Sequence, residues 1–285
     1  MGYKSSPRPD FSEATPIPYA RVTRHVWGDA ETGLVDDWIY ASTGKIHQLV
    51  FGVAPGQGFK HSESYRTVFG ADEVLYVLSG TLGAANPETG EVRVVKTGEG
   101  LFFRKDTWHH GFSLSPEPLR VLEYFAPPPA TGTSGAYART RPYVSQSRYR
   151  QDRFIGQWPM ASADERSTAT MRHMTDADLL WELDGDDQGA FTGLYAASEH
   201  LTVGRTTLLG GRRTRLHAHG GDECLYVLSG VVNVHVPEKD GQVWFELHPG
   251  DGFFVPEGTS HAYLNMGAEP ASLMFGVAPS YDPKG

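Results

Sequence analysis

The sequence predicts an all-β chain built as two tandem copies of one barrel. Three observations carry this. One stretch occurs twice, since residues 72–80 read DEVLYVLSG and residues 222–230 read DECLYVLSG. Apolar runs of strand length, rich in β-branched and aromatic residues, recur along the chain between turn formers, which include 33 Gly and 19 Pro. The length of 285 residues, with 39% hydrophobic content, suits one large domain or two ordinary ones with a core of useful size.

The repeat extends beyond its first match. GEGLFF (98–103) parallels GDGFFV (250–255), His109 falls at the place of His261, and LEYFAP (122–127) lies where MFGVAP (274–279) lies. A spacing this long implies two copies of a domain rather than a solenoid of small repeats. Many short strands at steady spacing argue for a sandwich or barrel in each copy.

In chain order, residues 1–20 (MGYKSSPRPDFSEATPIPYA) lack the apolar core of a secretion signal and read as an irregular arm, frayed or draped over a neighbouring subunit. The first unit spans 21–129, with strands expected over 46–53, 73–80, 91–96 and 119–125 and a hairpin connection at ANPETGE (85–91). Residues 130–171 are basic and aromatic (RTRPYVSQSRYRQDRFIGQW), and read as a connection packed along the surface through Tyr143, Tyr149, Phe154 and Trp158. The second unit spans 172–285. It opens with TDADLLWELDG, where Thr175 offers an N-cap and Gly185 an end, so one short helix or turn is expected. Strands follow in LTVGRTTLLG, ECLYVLSG, VVNVHV, VWFEL, GFFVP and ASLMFGVA. Their apolar residues do not alternate cleanly, which predicts burial on both faces, one lining a barrel and one packed on another sheet.

The chemistry is concentrated in the second unit. GRRTRLHAHGGDECLYVLSG (211–230) carries His217 and His219 two apart, then Glu223. GDGFFVPEGTSHAYLN (250–265) carries His261 after the turn residues Pro256 and Gly258. On an extended strand the two histidines share a face, and a turn through Gly220 and Gly221 brings Glu223 back toward them. Three imidazoles and a carboxylate can supply four ligands to a divalent first-row transition metal and leave room for water or substrate.

These two stretches resemble the paired motifs of the cupin superfamily at every fixed position. From Gly211 the order is five residues, His, one, His, three, Glu, six, Gly; from Gly250 it is five, Pro, one, Gly, two, His, three, Asn. The resemblance implies metal ligation by His217, His219, Glu223 and His261. It narrows the fold to two tandem jelly-roll β-barrels, a bicupin with short helical or irregular connections. It also implies pairwise packing of the barrels and a homo-oligomer, such as a dimer.

The first unit departs from the pattern. His61-Ser62-Glu63 stands in place of His217-Ala218-His219, and six more residues separate Glu63 from Glu73 than separate His219 from Glu223. In the second motif Arg104, Asp106 and Ser113 replace Pro, Gly and Asn. His61, Glu73 and His109, with Glu63 or His110 nearby, either make a second site or mark one that decayed while its barrel was kept.

Strand parity adds two residues to the cavity. Arg215, two before His217, is expected to face inward, either to hold a substrate carboxylate or to form a salt bridge at the mouth. Tyr263, two after His261, is expected to line the cavity as a wall residue or a proton donor. Asn265 is expected to orient a loop or ligand, and His235 and His248 to lie at the surface or in packing. Cys224, the one cysteine, excludes an intrachain disulfide and is expected to face away from Glu223 as a packed small residue.

Other chemistries lack a signature. No GxSxG, GxxxxGK[ST] or GxGxxG occurs, so covalent serine catalysis and nucleotide cofactors are not expected. A net charge of −9 disfavours nucleic acid, and no apolar run approaches the roughly 20 residues of a membrane span. A cytoplasmic protein with a small-molecule substrate is the expectation. Fe(II) or Mn(II) are the foremost metals, with Ni, Cu or Zn as alternatives. The leading functional expectation is a dioxygenase acting on a small oxygen-rich or aromatic compound chelated to the metal. A non-redox decarboxylase, isomerase or lyase stands beside it, and a non-catalytic storage-type bicupin behind both.

Overall fold

The computed structural model describes residues 6–62, 65, 68–128, 166–185 and 189–282. The surface-packed connection expected over 130–171, with its four named aromatics, lies almost wholly outside the described residues.

The first half contributes β1 (Thr15–Ile17), β2 (Thr23–Asp29), β3 (Gly33–Ser42), β4 (His47–Val53) and β5 (Gly58–Phe59). It continues with β6 (Asp72–Ser79), β7 (Thr81–Ala85), β8 (Val92–Lys96), β9 (Gly100–Phe103), β10 (His110–Ser113) and β11 (Leu119–Ala126). The second half contributes β12 (Met171–Met174), β13 (Leu180–Asp184), β14 (Ala190–Ala197), β15 (Thr202–Leu208) and β16 (Asp222–Ser229). It ends with β17 (Val232–His235), β18 (Trp244–Leu247), β19 (Gly252–Val255), β20 (Ala262–Leu264) and β21 (Ala271–Ala278).

These strands form two barrels of one design, each made of a large sheet and a small one. The large sheets run β12-β9-β6-β11-β4-β3-β2 and β1-β19-β16-β21-β15-β14-β13, and the small ones β5-β10-β7-β8 and β18-β17-β20. The repeated motif strand, β6 or β16, sits centrally in each large sheet. Burial on both strand faces follows from the packing. Along β6, Leu75 and Val77 join the core of the first barrel, while Val74 and Tyr76 join a cluster that also contains Cys224, Phe254 and Met274 of the second half. Along β16, Cys224 faces that shared layer and Leu225 and Val227 fill the second barrel. The expected orientation of Cys224, away from Glu223, is the one observed.

Two boundaries differ from the sequence expectation. The arm is not irregular throughout, because Thr15–Ile17 pairs antiparallel with β19 and extends the sheet of the second barrel. Conversely Met171–Met174 pairs with β9 of the first barrel. Breaks at residues 20 and 171 therefore divide the sequence repeat but not the sheets, since each half lends a strand to the other. The segment after Thr175 is also more extended than expected. One 3-10 turn (Asp176–Asp178) is closed by the Asp178 carboxylate, which accepts from the Thr175 backbone N–H and hydroxyl at 2.8 Å, and strand β13 follows at once. Among the described residues no helix is long and apolar enough to cross a membrane.

Candidate metal centre

The chain reaches the site by an irregular path rather than by a strand. Residues 209–221 contain only isolated bridges, Arg213 to Leu264 and His217 to His261. The parity expected from an extended strand is thus replaced by tethering. His217 and His261 exchange backbone hydrogen bonds of 2.9 and 2.8 Å, and the His219 carbonyl accepts from Gly258 N–H at 2.9 Å. Gly258 makes that turn at a φ of 77°, where a Cβ would be strained. Glu223 is the second residue of β16, and Tyr263 the middle residue of β20.

This scaffold brings together the four residues the motifs single out. One ligand atom from each of His217, His219, Glu223 and His261 lies within 4.8 Å of all the others. Each imidazole is oriented by a backbone carbonyl at Nδ1: Arg215 O at 2.9 Å for His217, Tyr281 O at 2.6 Å for His219 and Thr259 O at 3.0 Å for His261. A carbonyl can only accept, so each Nδ1 carries the proton and each Nε2 presents a lone pair to the centre.

The carboxylate completes the argument. Glu223 Oε1 accepts from the Tyr263 hydroxyl at 2.6 Å, while the buried Oε2 has no hydrogen-bond partner and lies 2.7 Å from His261 Nε2 and 3.6 Å from His219 Nε2. A lone pair and a carboxylate oxygen this close are two acceptors with nothing between them, an arrangement satisfied by a cation. Burial alone would raise the Glu223 pKa, but the surrounding imidazoles of His219, His261 and His217 prevail and hold it near 2. Burial, aided by His261, lowers His217 to about 4 and keeps it neutral. A charged carboxylate beside a neutral His217 is the protonation state that ligation needs.

A pocket of about 370 Å³ opens above the cluster, lined by Thr192, Thr206, Thr214, Asp184, Phe275 and Tyr281 among others. Tyr263 is buried in its floor, with its oxygen 2.9 Å from His261 Nε2. Arg215 reaches the mouth of the pocket, but its side chain is 67% exposed and its Nε lies 3.7 Å from Asp184 Oδ1. Of the two roles open to it, the structure supplies the partner for the salt bridge. Asn265 orients a loop, giving its amide to the Leu208 and Glu269 carbonyls at 3.1 and 2.7 Å. His235 stacks on Trp244, and His248 pairs with Glu246 at the surface. Sequence reasoning missed Tyr281, whose carbonyl fixes His219 and whose ring stacks on it at 4.5 Å.

In the first barrel the corresponding residues do not converge. His61 turns its Nδ1 to His110, and His109 Nε2 stays 3.9 Å from Glu73 Oε2. Glu63 lies outside the described residues. Among those described, the cluster in the second barrel is the only one with metal-compatible geometry.

Comparison with known proteins agrees with the internal repeat. A family model described as a cupin domain matches residues 50–125 and 204–277. No curated protein sequence matches the chain. Among solved structures, a protein of Pseudomonas aeruginosa described as glyoxylate-induced is similar, with a TM-score of 0.65 at 14% identity over 97% of this chain and 93% of that one. An oxalate decarboxylase of Lactobacillus farciminis, solved as a formate complex, gives 0.63 at 11% over 96% and 88%. A mutant oxalate decarboxylase of Bacillus subtilis gives 0.60 at 14% over 97% and 79%.

Proposed function

The chain belongs to the cupin family in both halves, and on that premise we propose that its second barrel is the centre of a metal-dependent, non-redox enzyme for a small oxygen-rich compound. One observation carries the reading: three carbonyl-oriented Nε2 lone pairs and the orphaned Glu223 oxygen converge beneath a pocket of about 370 Å³. The donor set favours a divalent transition metal over calcium or magnesium, which prefer all-oxygen sites. Held by these four residues, such an ion would act as a Lewis acid on a substrate chelated through oxygen.

The choice of non-redox chemistry over the dioxygenase expectation rests on Tyr263. Burial and then the charge of Glu223 push its pKa well above the ordinary value, so the hydroxyl keeps its proton at neutral pH. That proton is hydrogen-bonded to the carboxylate of the cluster, where a developing carbanion or oxyanion would need it. The Thr192, Thr206 and Thr214 hydroxyls make the pocket wall polar, which suits a substrate dense in oxygen better than an apolar aromatic ring. The likeness to oxalate decarboxylases supplies the first substrates to try, small oxo-, hydroxy- and dicarboxylic acids.

The test is turnover by protein loaded anaerobically with Mn(II) or Fe(II), with oxygen uptake followed in parallel. Turnover without stoichiometric oxygen consumption is expected. In Tyr263→Phe the metal should remain while turnover falls by about 10²–10⁴, the range for a general acid or base. Oxygen uptake matching product formation would restore the dioxygenase reading and contradict this one.

A further inference from the structure

The first barrel has a cavity of its own, about 50 Å³, apart from the metal-compatible cluster of the second. Its wall is aromatic, formed by Trp27, Phe51, Phe59, Phe69 and Phe125. Asp37 and Glu123 face into it although they are only 4% and 7% exposed. Glu73, 1% exposed, hydrogen-bonds Glu123 and leaves its Oε2 without a hydrogen-bond partner.

Strand register explains the convergence. Asp37 on β3 stands opposite Phe51 on β4, Glu123 on β11 stands opposite Leu49 and Leu75, and Phe125 stands opposite Glu73 on β6. The carboxyls thus share the inner face of four adjacent strands. At the same register positions the second barrel has Thr192, opposite Thr206, and Phe275, opposite Leu225. Asp37 and Glu123 are therefore additions of the first barrel and not part of the design common to both.

No cation of the protein answers them. Among the described residues no Lys or Arg makes an ion pair with Asp37, Glu73 or Glu123, and the basic group near Glu73 is His109 at 3.9 Å. Burial lowers His109 to about 4, so it is neutral near pH 7. Burial raises Asp37 to about 8, with Asp36 adding to the effect, and it raises Glu73 and Glu123 as well. Carboxyls buried without a counter-charge are costly, and aromatic faces carry negative potential that attracts cations.

We propose that this cavity binds a small alkylammonium ion, its N–H groups held by Asp37 and Glu123 and its carbons by the aromatic wall. At roughly 10–15 Å³ per water-sized occupant the cavity admits about three to five heavy atoms, which is the size of ethylammonium or trimethylammonium. The site goes beyond the metal-dependent reaction and shares no residue with it.

Calorimetric titration of the full-length, metal-loaded protein with methylammonium and ethylammonium chloride tests this, with sodium chloride and ethanol as the ionic and neutral controls. Saturable binding of one ammonium ion per chain is expected, absent with either control. The paired variant Asp37→Asn, Glu123→Gln should weaken it at least about tenfold while metal content stays that of the wild type. Asp37→Thr, which installs the residue type of the second barrel, serves if the paired variant fails to fold. An absence of saturable binding to the wild type would overturn the proposal, and so would equal binding of ethanol or binding that persists in the variants. Metal content, read on the same samples, separates this result from any failure of the metal-site reading.

Discussion

Glu223 and Asp37 are both buried carboxyls, and their surroundings drive them in opposite directions. Glu223 is held ionised by three imidazoles, whereas Asp37, with Asp36, Glu73, Glu123 and a neutral His109 around it, is held protonated. A carboxyl raised from 3.8 to about 8 binds more protons folded than unfolded, so its favourable state is complete below 3.8 and stability is lost as pH rises toward 8. Without an ammonium ligand, the urea midpoint should therefore decline between pH 5 and 8, and Asp37→Asn should flatten that decline. A slope unchanged by the substitution would count against the burial argument. The four clustered residues were legible in the sequence because they fall in two short, dense motifs, His217 to Glu223 and the turn before His261. Tyr281 was not, since nothing in SYDPKG marks a residue that meets His219 only through the fold. Arg215 reaches the pocket mouth as expected, where Asp184 stands ready to pair with it.

At the scale of elements, the close approach of the two large sheets depends on rings set against glycines. A Cβ on Gly252 of β19 would lie 2.5 Å from Tyr40 Cδ1, and one on Gly100 of β9 would lie 3.0 Å from Tyr195 Cδ1, the matching contact in the other direction. Tyr40 also donates to the Gly250 carbonyl at 2.6 Å, so its ring cannot easily withdraw. Gly252→Ala is expected to cost about 1–3 kcal/mol, as overpacking does. Gly44→Ala, where a Cβ meets nothing within 4 Å, should be close to neutral. Equal midpoints for the two variants in chemical denaturation would contradict this packing. The long apolar strands that predicted the barrels were all found, from His47–Val53 to Ala271–Ala278. Strands β1 and β12 were not foreseen, because three or four residues carry too little pattern and their pairing partners lie in the other half; the longer β3 and β14 were not named either. Of the short helix or turn expected after Thr175, one turn formed and the rest became strand, because Leu180–Asp184 finds a pairing partner in β14, and tertiary pairing overrides local signals.

Across the whole molecule, the duplicated sequence became two barrels back to back, and the leading Asp of each repeat fastens one to the other. Asp222 accepts from Thr43 at 3.1 Å and Lys45 at 2.7 Å, and Asp72 accepts from Ser198 at 2.6 Å. Those aspartates serve the joint, while the glutamates beside them, Glu73 and Glu223, face the barrel interiors. The same architecture thus holds two unlike interiors, a cluster of three histidines with a carboxylate in one and a group of buried carboxyls beside an aromatic cavity in the other. That division is tested most directly by elemental analysis of protein purified without added metal, beside His217→Ala/His261→Ala. One equivalent of a transition metal per chain, lost in the double variant while the β-sheet circular dichroism persists, is the predicted result. Two equivalents per chain, or one that survives the double substitution, would contradict it.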